Sequence, residues 1–405
     1  MNILNFYRKF VEKSRSFGFK KINIRRLDIF LFCSALALAV FVLVNLFLKT
    51  AADPRRATLF IAPQFETVFG RDPLETLIRE FESQNPELHI TTADSSPADI
   101  LFFDDGQFSG MVREGALLSL APYLHTETET GQWAVSLVSF MDLFCYNIDI
   151  LKAAHFDRPP KTHLEVLTYA RAVTSRDAGI YGMAFGLGPG DRQALRRELY
   201  PWIRAAGGNI LPPAETGRPL ELSRASIGII SFFAQLSREG LTAPGAFEKT
   251  GADRLEEFAQ GKIAMLTVPS RDIPLLGKRL GTSLGVTSVP AAAAAGKNRL
   301  GLSSIYAGIS AECTRPDEAW TFITFLAGQS PVLAAALEAV PGSLPGAFSG
   351  GGAFPAAYIT GGALLSKAWE IFEAADIIES FSGSPREAEL EQLLRDHLTA
   401  ALADE

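Results

Sequence analysis

Short apolar runs alternate with amphipathic stretches along most of the chain, and this alternation predicts interleaved strands and helices. The run TLFIAPQF, Thr58 to Phe65, predicts a buried strand. The next segment, RDPLETLIREFESQNP, predicts a helix with Asp72 as N-cap, Pro73 at the first helical position and Glu75 closing a capping box. The run Ala98 to Gly106 predicts another strand. Strand, helix and strand in this order indicate an α/β fold with a mainly parallel sheet.

The same pattern continues toward the carboxyl end. Met141 to Leu151 predicts a strand that runs into a loop or short helix. Thr162, followed by Glu165 three residues later, predicts the start of a helix, and Ser223 to Gly240 predicts an amphipathic helix that a glycine ends. The last helix is predicted to begin at Ser384-Pro385. For a chain of 405 residues, two domains are the default expectation.

One apolar run, Ile29 to Leu48, stands apart because it holds twenty residues without a charge, which is the length that crosses a bilayer. Residues 1–28 carry eight Lys or Arg against two acids, so the positive-inside bias predicts a basic cytoplasmic head over 1–28 and a transmembrane anchor over 29–48. The main body is then extracytoplasmic, periplasmic in a cell with an inner membrane. A cleaved secretory signal is the alternative, since Lys49-Thr50-Ala51-Ala52 offers small residues to a peptidase.

Composition excludes several classes of protein. Apolar residues make up 47% of the chain and charged residues 20%, which excludes a disordered protein. The head has a net charge of +6, so the other 377 residues carry −13 of the total of −7, and we expect no nucleic-acid partner. Outside the anchor the cysteines are Cys145 and Cys313, and the sequence leaves open whether they pair or remain buried free thiols.

Catalytic and cofactor motifs are missing from the sequence. There is no P-loop, no dinucleotide fingerprint and no G-x-S-x-G elbow, and the histidines lack the i, i+4 spacing of a zinc helix. We therefore expect a protein that is not an enzyme, with no cofactor and no metal. Asp104-Asp105 closes a buried strand, which is where open sheets place ligands, so this pair either binds a ligand or simply ends the strand.

Several segments, read in order, resemble a known family. They include LETLIREFESQNPELHIT, ADILFFDDGQFSGMVREGALLSLAPYL, LFCYNIDILKAAHFDRPPKTHLEVLTYARAVT, FAQGKIAML and the helix RPDEAWTFITFLAG. Together they resemble the extracellular solute-binding proteins of ABC importers, in particular the maltose-binding-like, sugar-binding group, from about Leu59 to about Ala335. The resemblance implies a two-lobed periplasmic-binding-protein fold, type II-like, in which each lobe is a mainly parallel sheet with flanking helices. The lobes close on a ligand held between them.

The resemblance also implies where the chain passes from lobe to lobe. The first lobe would hold residues 57–140 and 286–338, and the second lobe 141–285 and 339–405. The crossings would fall near residues 140–144, 285–289 and 340–345.

Ligand contacts in this family come from loops that face the cleft. Sugar recognition needs flat aromatic faces against C–H surfaces, together with carboxylates and arginines that bind hydroxyls. The expected ligand-binding residues are therefore Phe65, Phe69, Asp104, Asp105, Tyr200, Trp202, Ser270, Arg271 and Tyr306.

The function that the resemblance implies is a membrane-tethered, extracytoplasmic solute-binding protein that captures a small solute, expected to be a carbohydrate, for an ABC importer. The expected partners are the solute and the permease subunits in the membrane, with the protein itself a monomer. The alternative is a tethered sensor or interaction module with the same fold that regulates a membrane partner. The sequence leaves the identity of the solute open.

Overall fold

The computed structural model describes residues 56–93, 97–123, 133–191, 194–208, 219–293, 298–328, 344–345, 363–380 and 386–403. The predicted head over 1–28 and the predicted anchor over 29–48 lie outside these ranges. Within the ranges, every helix is too short or too polar to cross a bilayer.

Strands and helices alternate through the described chain, as the apolar pattern predicts. The strands are β1 Ala57–Ile61, β2 Leu88–Thr92, β3 Ile100–Asp104, β4 Val135–Asn147, β5 Met265–Pro269, β6 Leu284–Thr287, β7 Arg299–Ile309, β8 Leu344–Pro345 and β9 Ile377–Ser380. The helices are α1 Gln64–Phe69, α2 Arg71–Gln84, α3 Asp105–Arg113, α4 Ile148–Ala153, α5 His163–Val173, α6 Ala194–Glu198, α7 Tyr200–Ala205, α8 Arg224–Arg238, α9 Gly251–Ala259, α10 Ile273–Leu280, α11 Pro316–Ala327, α12 Ala363–Glu373 and α13 Glu387–Ala403.

The sheet is mixed, so the predicted mainly parallel arrangement is wrong. Its order is β2-β1-β3-β7-β4-β5, with β6 and β8 paired to β4 and β9 paired to β7. The pairs β1·β3 and β7·β9 are parallel. The pairs of β4 with β5, β6, β7 and β8 are antiparallel, as is β3·β7. The physical reason is that β4 and β7, the long strands of 13 and 11 residues, lie antiparallel to each other. Most of the other strands form their backbone hydrogen bonds with one of these two.

β4 changes its partners halfway along its length. Residues Val135 to Met141 pair with β7, whereas Asp142 to Tyr146 pair with β5 and Phe144 to Asn147 pair with β6. Successive side chains of a strand point to opposite faces. Phe144 accordingly belongs to one hydrophobic cluster, with Trp202, while its neighbours on β4 belong to another.

Several local predictions can be checked against the helix ends. Thr162 is the N-cap of α5, where its side chain accepts a hydrogen bond from the Glu165 amide at 3.2 Å, and this prediction is confirmed. Ser223 caps α8 in the same way, by accepting from the Ser226 amide at 3.0 Å. The predicted start at Ser384-Pro385 lies outside the described residues, in which α13 runs from Glu387.

The first predicted elements need correction. β1 ends at Ile61, so Phe65 lies in α1 and not in a strand. α2 begins at Arg71 with Gly70 as its N-cap, which means that Asp72 sits in the first turn and is not the cap. The reason is that α1 continues to Phe69, and Gly70 joins the two helices with a φ of +78°, a left-handed conformation that glycine adopts readily.

Both described cysteines are free thiols. Cys145 is buried on β4, and Cys313 is partly exposed. Burial raises the pKa of the Cys313 thiol to about 11, so it stays protonated at neutral pH.

Candidate functional site

The aromatic residue Trp202, expected to face a ligand, lies in the core. α7 carries it, and the side chain is 1% exposed. Its ring packs edge-on against Phe144 with the centroids 5.5 Å apart and also contacts Phe232 and Phe233. The indole Nε1 donates a hydrogen bond to Thr267 Oγ1 at 2.9 Å. Trp202 therefore joins α7 to β5 and α8.

Tyr306 is buried as well, because Ser303 to Tyr306 lies inside β7 and not in the expected loop. Tyr306 is 1% exposed, and its ring packs against Phe103 and Phe108 with centroid distances of 5.9 and 4.9 Å. Phe65 packs against Phe102 at 4.4 Å. Tyr200 is 2% exposed. These rings are enclosed by protein, and the side chain of Phe69 lies outside the described part of the structure.

The structure does bring other expected residues together, around a cavity of about 370 Å³. The cavity lies where β4, β5 and β7 meet the first residues of α3 and α9 and the helix α6. Its lining consists of Asp105, Phe140, Asp142, Asp191, Arg196, Arg197, Glu198, Gly251, Ala252, Arg254, Leu255, Leu266, Thr267, Val268, Pro269, Arg271, Asp272 and Ser303. Asp105 and Arg271 are the expected site residues in this lining.

Asp104 and Asp105 have different roles although they are neighbours. Asp104 caps α3, since its Oδ1 accepts from the Gln107 amide at 3.1 Å and the Gln107 side chain bonds back to the Asp104 amide. Asp105 is the first residue of α3 and is only 6% exposed. The pair thus ends the strand through Asp104 and presents a buried carboxyl group through Asp105.

The carboxyl group of Asp105 is only partly satisfied. Its Oδ2 accepts a hydrogen bond from the Ser304 amide at 3.0 Å, while its Oδ1 has no hydrogen-bond partner among the described residues. Burial raises the pKa of Asp105 to about 7, and the nearby charge of Arg196 opposes that rise. The Tyr306 hydroxyl forms a hydrogen bond with the same carboxyl group, which also opposes the rise in its pKa. A buried carboxylate oxygen without a donor would gain energy from a ligand hydroxyl.

Arg196 on α6 connects Asp105 to the last helix. Its guanidinium forms ion pairs with Glu387 and, at 3.1 Å, with Glu391, both on α13. The Glu387 side chain is 2% exposed, and burial raises the pKa of its carboxyl group to about 8 despite the ion pair with Arg196.

A second buried ion pair crosses β7. Arg204 Nη1 donates to Asp142 Oδ2 at 3.2 Å, and the Ser303 hydroxyl donates to Asp142 Oδ1 at 3.3 Å. A Cβ on Gly301 would lie 2.4 Å from Asp142 Oδ2 and 2.5 Å from Arg204 Nη1, so the pair needs glycine at that position. We refer to Asp105, Asp142, Arg196, Arg204 and Glu387 as the β4–β7 cluster.

The opposite side of the cavity is also charged but is fully hydrogen-bonded. Arg197 pairs with Asp191 at 2.7 Å and with Glu198 at 3.1 Å. Arg254 is 1% exposed, and its guanidinium donates to the Phe185 and Pro244 carbonyls and pairs with Glu257 at 2.7 Å. We refer to Arg197, Glu198 and Arg254 as the α6–α9 wall.

Arg271 lies at the rim of the cavity. It is exposed, and its guanidinium lies over the ring of Phe140 with 5.6 Å between the guanidinium carbon and the ring centroid. The preceding residue, Ser270, is fully buried, and its Oγ accepts a hydrogen bond from the Met141 amide at 3.0 Å. Ser270 therefore fixes the short turn Ser270–Asp272 against β4, and Arg271 projects from that turn.

Sequence reasoning missed Phe140, Asp142, Arg196 and Arg254 as cavity residues. One signal was available, because Asp142 is the single charge in the apolar run VSLVSFMDLFCYN. A charge inside a buried strand needs a partner. Among the described residues, no group of three or more His, Cys, Asp or Glu side chains is arranged to hold a metal ion.

The chain matches a family model described as bacterial extracellular solute-binding protein over residues 83–331, more than half of its length. No curated protein sequence matches it. Solved structures share its fold. The GacH receptor of Streptomyces glaucescens, described with acarbose, is 16% identical over 86% of this chain and 94% of its own, with a TM-score of 0.61.

Two further structures give the same result. A solute-binding protein of an ABC transporter from Thermotoga Lettingae TMO, bound with α-D-tagatose, is 18% identical over 85% of this chain and 93% of its own, with a TM-score of 0.57. Maltose-bound MalE3 of T. maritima is 16% identical over 86% and 95%, with a TM-score of 0.61. The mixed α/β, two-lobed periplasmic-binding fold fits the chain, and the resemblance seen in the sequence is confirmed.

Proposed function

Because the chain belongs to the family of bacterial extracellular solute-binding proteins, we propose that it captures a small carbohydrate between two lobes and delivers it to the permease of an ABC importer. The observation that carries the carbohydrate assignment is the cavity, whose lining alternates arginines with carboxylates. Such pairs bind sugar hydroxyls as donors and acceptors. The related structures described with acarbose, tagatose and maltose support the same ligand class.

The lobes of this proposal keep their boundaries, residues 57–140 with 286–338 and residues 141–285 with 339–405. The change of partner on β4 between Met141 and Asp142 supports the first crossing, because the strand leaves one set of neighbours there and joins another. Asp105 and Ser303 then come from the first lobe, whereas Arg196 and Arg271 come from the second. A solute that touches both sets favours the closed arrangement.

Asp105 and Arg271 remain the proposed ligand contacts, and we add Phe140, Asp142, Arg196 and Ser303. The buried rings of Trp202, Tyr200, Tyr306 and Phe65 act in this proposal through the packing that shapes the cavity. Ser270 acts through the turn that holds Arg271.

Tethering also belongs to the proposal. The uncharged run over residues 29–48 and the basic head over 1–28 before it support a single-pass anchor in the cytoplasmic membrane. We propose that the body outside the membrane is a monomer. The family is one of extracellular proteins, which agrees with an extracytoplasmic body.

The test is a carbohydrate screen with the detergent-solubilised full chain, read by thermal shift and then by isothermal titration calorimetry. We expect at least one carbohydrate to bind and Asp105→Ala to weaken it by about tenfold or more, as for a lost buried contact. Asp104→Asn is the matched control, because Asn also caps helices. If no carbohydrate binds, the ligand class is wrong.

An uptake assay separates transport from the sensor alternative. Cells that carry the gene should import the bound carbohydrate, and cells without the gene should lose this import. A carbohydrate that binds but is not imported would favour the sensor.

A further inference from the structure

The size of the cavity restricts what can fill it. Small-molecule pockets have volumes of roughly 300–1,000 Å³, and this cavity, at about 370 Å³, lies near the lower end. It is bounded by β5 on one side and by the α6–α9 wall on another, and the two arginines of that wall donate hydrogen bonds to backbone carbonyls. A wall held in this way does not move aside for a longer ligand without breaking those bonds.

Among the described residues, the lining of the cavity offers little of the aromatic surface on which a chain of sugar rings stacks. Within the described lining, the one aromatic residue is Phe140, which is 4% exposed. The guanidinium of Arg271 covers its ring. The rings of Tyr306 and Trp202, which were expected to supply platforms, are packed against other protein rings. The described lining therefore offers a ligand mainly charged and hydrogen-bonding groups, which suit the hydroxyls at the edges of a sugar ring.

Arg271 is an exposed residue of the cavity lining, and two contacts restrain it there. Ser270 fixes the turn Ser270–Asp272 to β4, and the Arg271 guanidinium rests on Phe140, which also belongs to β4. A cation over an aromatic ring is attracted to it, which holds the Arg271 side chain against Phe140.

Resting on the proposed function, we propose that the solute is limited to one or two sugar rings and that Arg271, seated on Phe140, sets this limit by closing the rim of the cavity. A third ring would have to pass the Arg271 side chain. A mono- or disaccharide fits inside, where its hydroxyls donate hydrogen bonds to the carboxylates of the lining and accept them from the arginines.

The first experiment measures dissociation constants for series of increasing length by titration calorimetry with the detergent-solubilised full chain. The probes are glucose, maltose, maltotriose and maltohexaose, with matching xylose and galactose series. In the series that binds, we expect the mono- or disaccharide to bind best and the trisaccharide to bind about tenfold or more weakly, as for a ligand group that a pocket rejects. A trisaccharide or hexasaccharide that binds best would overturn this inference and leave the proposed function intact. If no carbohydrate binds, both fail.

The second experiment tests the role of the rim with Arg271→Ala. We expect the preference for the short sugar over the trisaccharide to shrink by about tenfold, because the side chain that blocks the rim is gone. Arg279→Ala is the matched control, since Arg279 is an exposed arginine of α10 that pairs with Glu256 and does not line the cavity. Thermal scans establish that both variants are folded. An Arg271→Ala protein that discriminates by length as the parent does would overturn the role of Arg271.

Discussion

The two charged sides of the cavity are built from the same residue types but differ in how completely their charges are satisfied. In the α6–α9 wall, Glu198 accepts from the Gly186 amide and from Arg197, and Arg254 meets several carbonyls and Glu257. In the β4–β7 cluster, one carboxylate oxygen of Asp105 has no hydrogen-bond partner among the described residues. Burial raises the pKa of Asp105 and Glu387 in the cluster and also that of Glu198 in the wall, so the contrast lies in the hydrogen bonds. The groups of the wall, whose hydrogen-bonding capacity is used within the protein, support the fold. The cluster, which has hydrogen-bonding capacity left over, is able to bind a ligand or a proton.

The largest expected loss of stability comes from replacing Arg254 in the α6–α9 wall. Arg254→Ala removes a fully buried side chain and leaves the Phe185 and Pro244 carbonyls without this donor, while Glu257 keeps only Lys249. We expect the free energy of unfolding to fall by about 3–5 kcal/mol, measured by urea denaturation. The exposed pair made by Arg279 with Glu256 is the control, and Arg279→Ala should change the free energy of unfolding far less, because solvent screens this pair. Equal losses in the two variants would contradict the structural role of the wall.

Gly301→Ala is the next test and acts on the cluster. Its Cβ would collide with Asp142 Oδ2 and Arg204 Nη1, so we expect a loss of about 1–3 kcal/mol from overpacking. The matched control is Gly228→Ala in α8, where a Cβ would meet nothing within 4 Å. Because alanine favours a helix over glycine, Gly228→Ala should stabilise the protein by about 0.5–1 kcal/mol. A stable Gly301→Ala protein would show that the ion pair does not occupy this space.

The pH dependence of stability distinguishes the cluster from exposed charges. The pKa of Glu387 rises from 4.5 to about 8 in the folded protein, so its neutral form contributes stability below about pH 4.5, and that contribution is lost as the pH rises through 8. Arg196, Ser109, Glu391 and Asp105 are the groups that face it.

We therefore expect the free energy of unfolding to fall between pH 5 and pH 8, and Glu387→Gln to reduce that fall by about 1–2 kcal/mol, measured by denaturation at each pH. Glu389→Gln is the control, because Glu389 lies on the same helix with 56% of its side chain exposed. The same slope in Glu387→Gln and in the parent would show that Glu387 is ionised in the folded state.

The smallest expected loss of stability comes from a residue that belongs to neither the cluster nor the wall. Thr162→Ala removes the side-chain cap of α5 and should cost about 1 kcal/mol. Thermal denaturation measures the loss, and Thr162→Ser, which keeps the hydroxyl, is the control. Carbohydrate affinity should stay the same in both variants, since Thr162 is not in the cavity lining. A loss of affinity in Thr162→Ala would show that the cavity depends on α5.

Local signals in the sequence were sufficient for much of the fold. Thr162 was recognised as a cap because a cap depends on residues within three positions of it. The apolar run before Asp104 was recognised as a strand, and the ordered segments pointed to the family. Asp105 was named as a site residue because it directly follows a strand, and Arg271 because the family resemblance places ligand contacts in loops near strand ends.

Tertiary structure alone decided what surrounds these residues. The antiparallel pairing of β4 with β7 joins segments about 165 residues apart, as between Ser139 and Ser304, and no periodicity within either strand encodes it. Burial of Trp202 and Tyr306 follows from packing against rings of other elements. The ion pair of Arg204 with Asp142 likewise spans 62 residues and needs Gly301 between its partners. Periodicity and capping act over a few residues, whereas the shape and charge of the cavity arise only when distant segments meet.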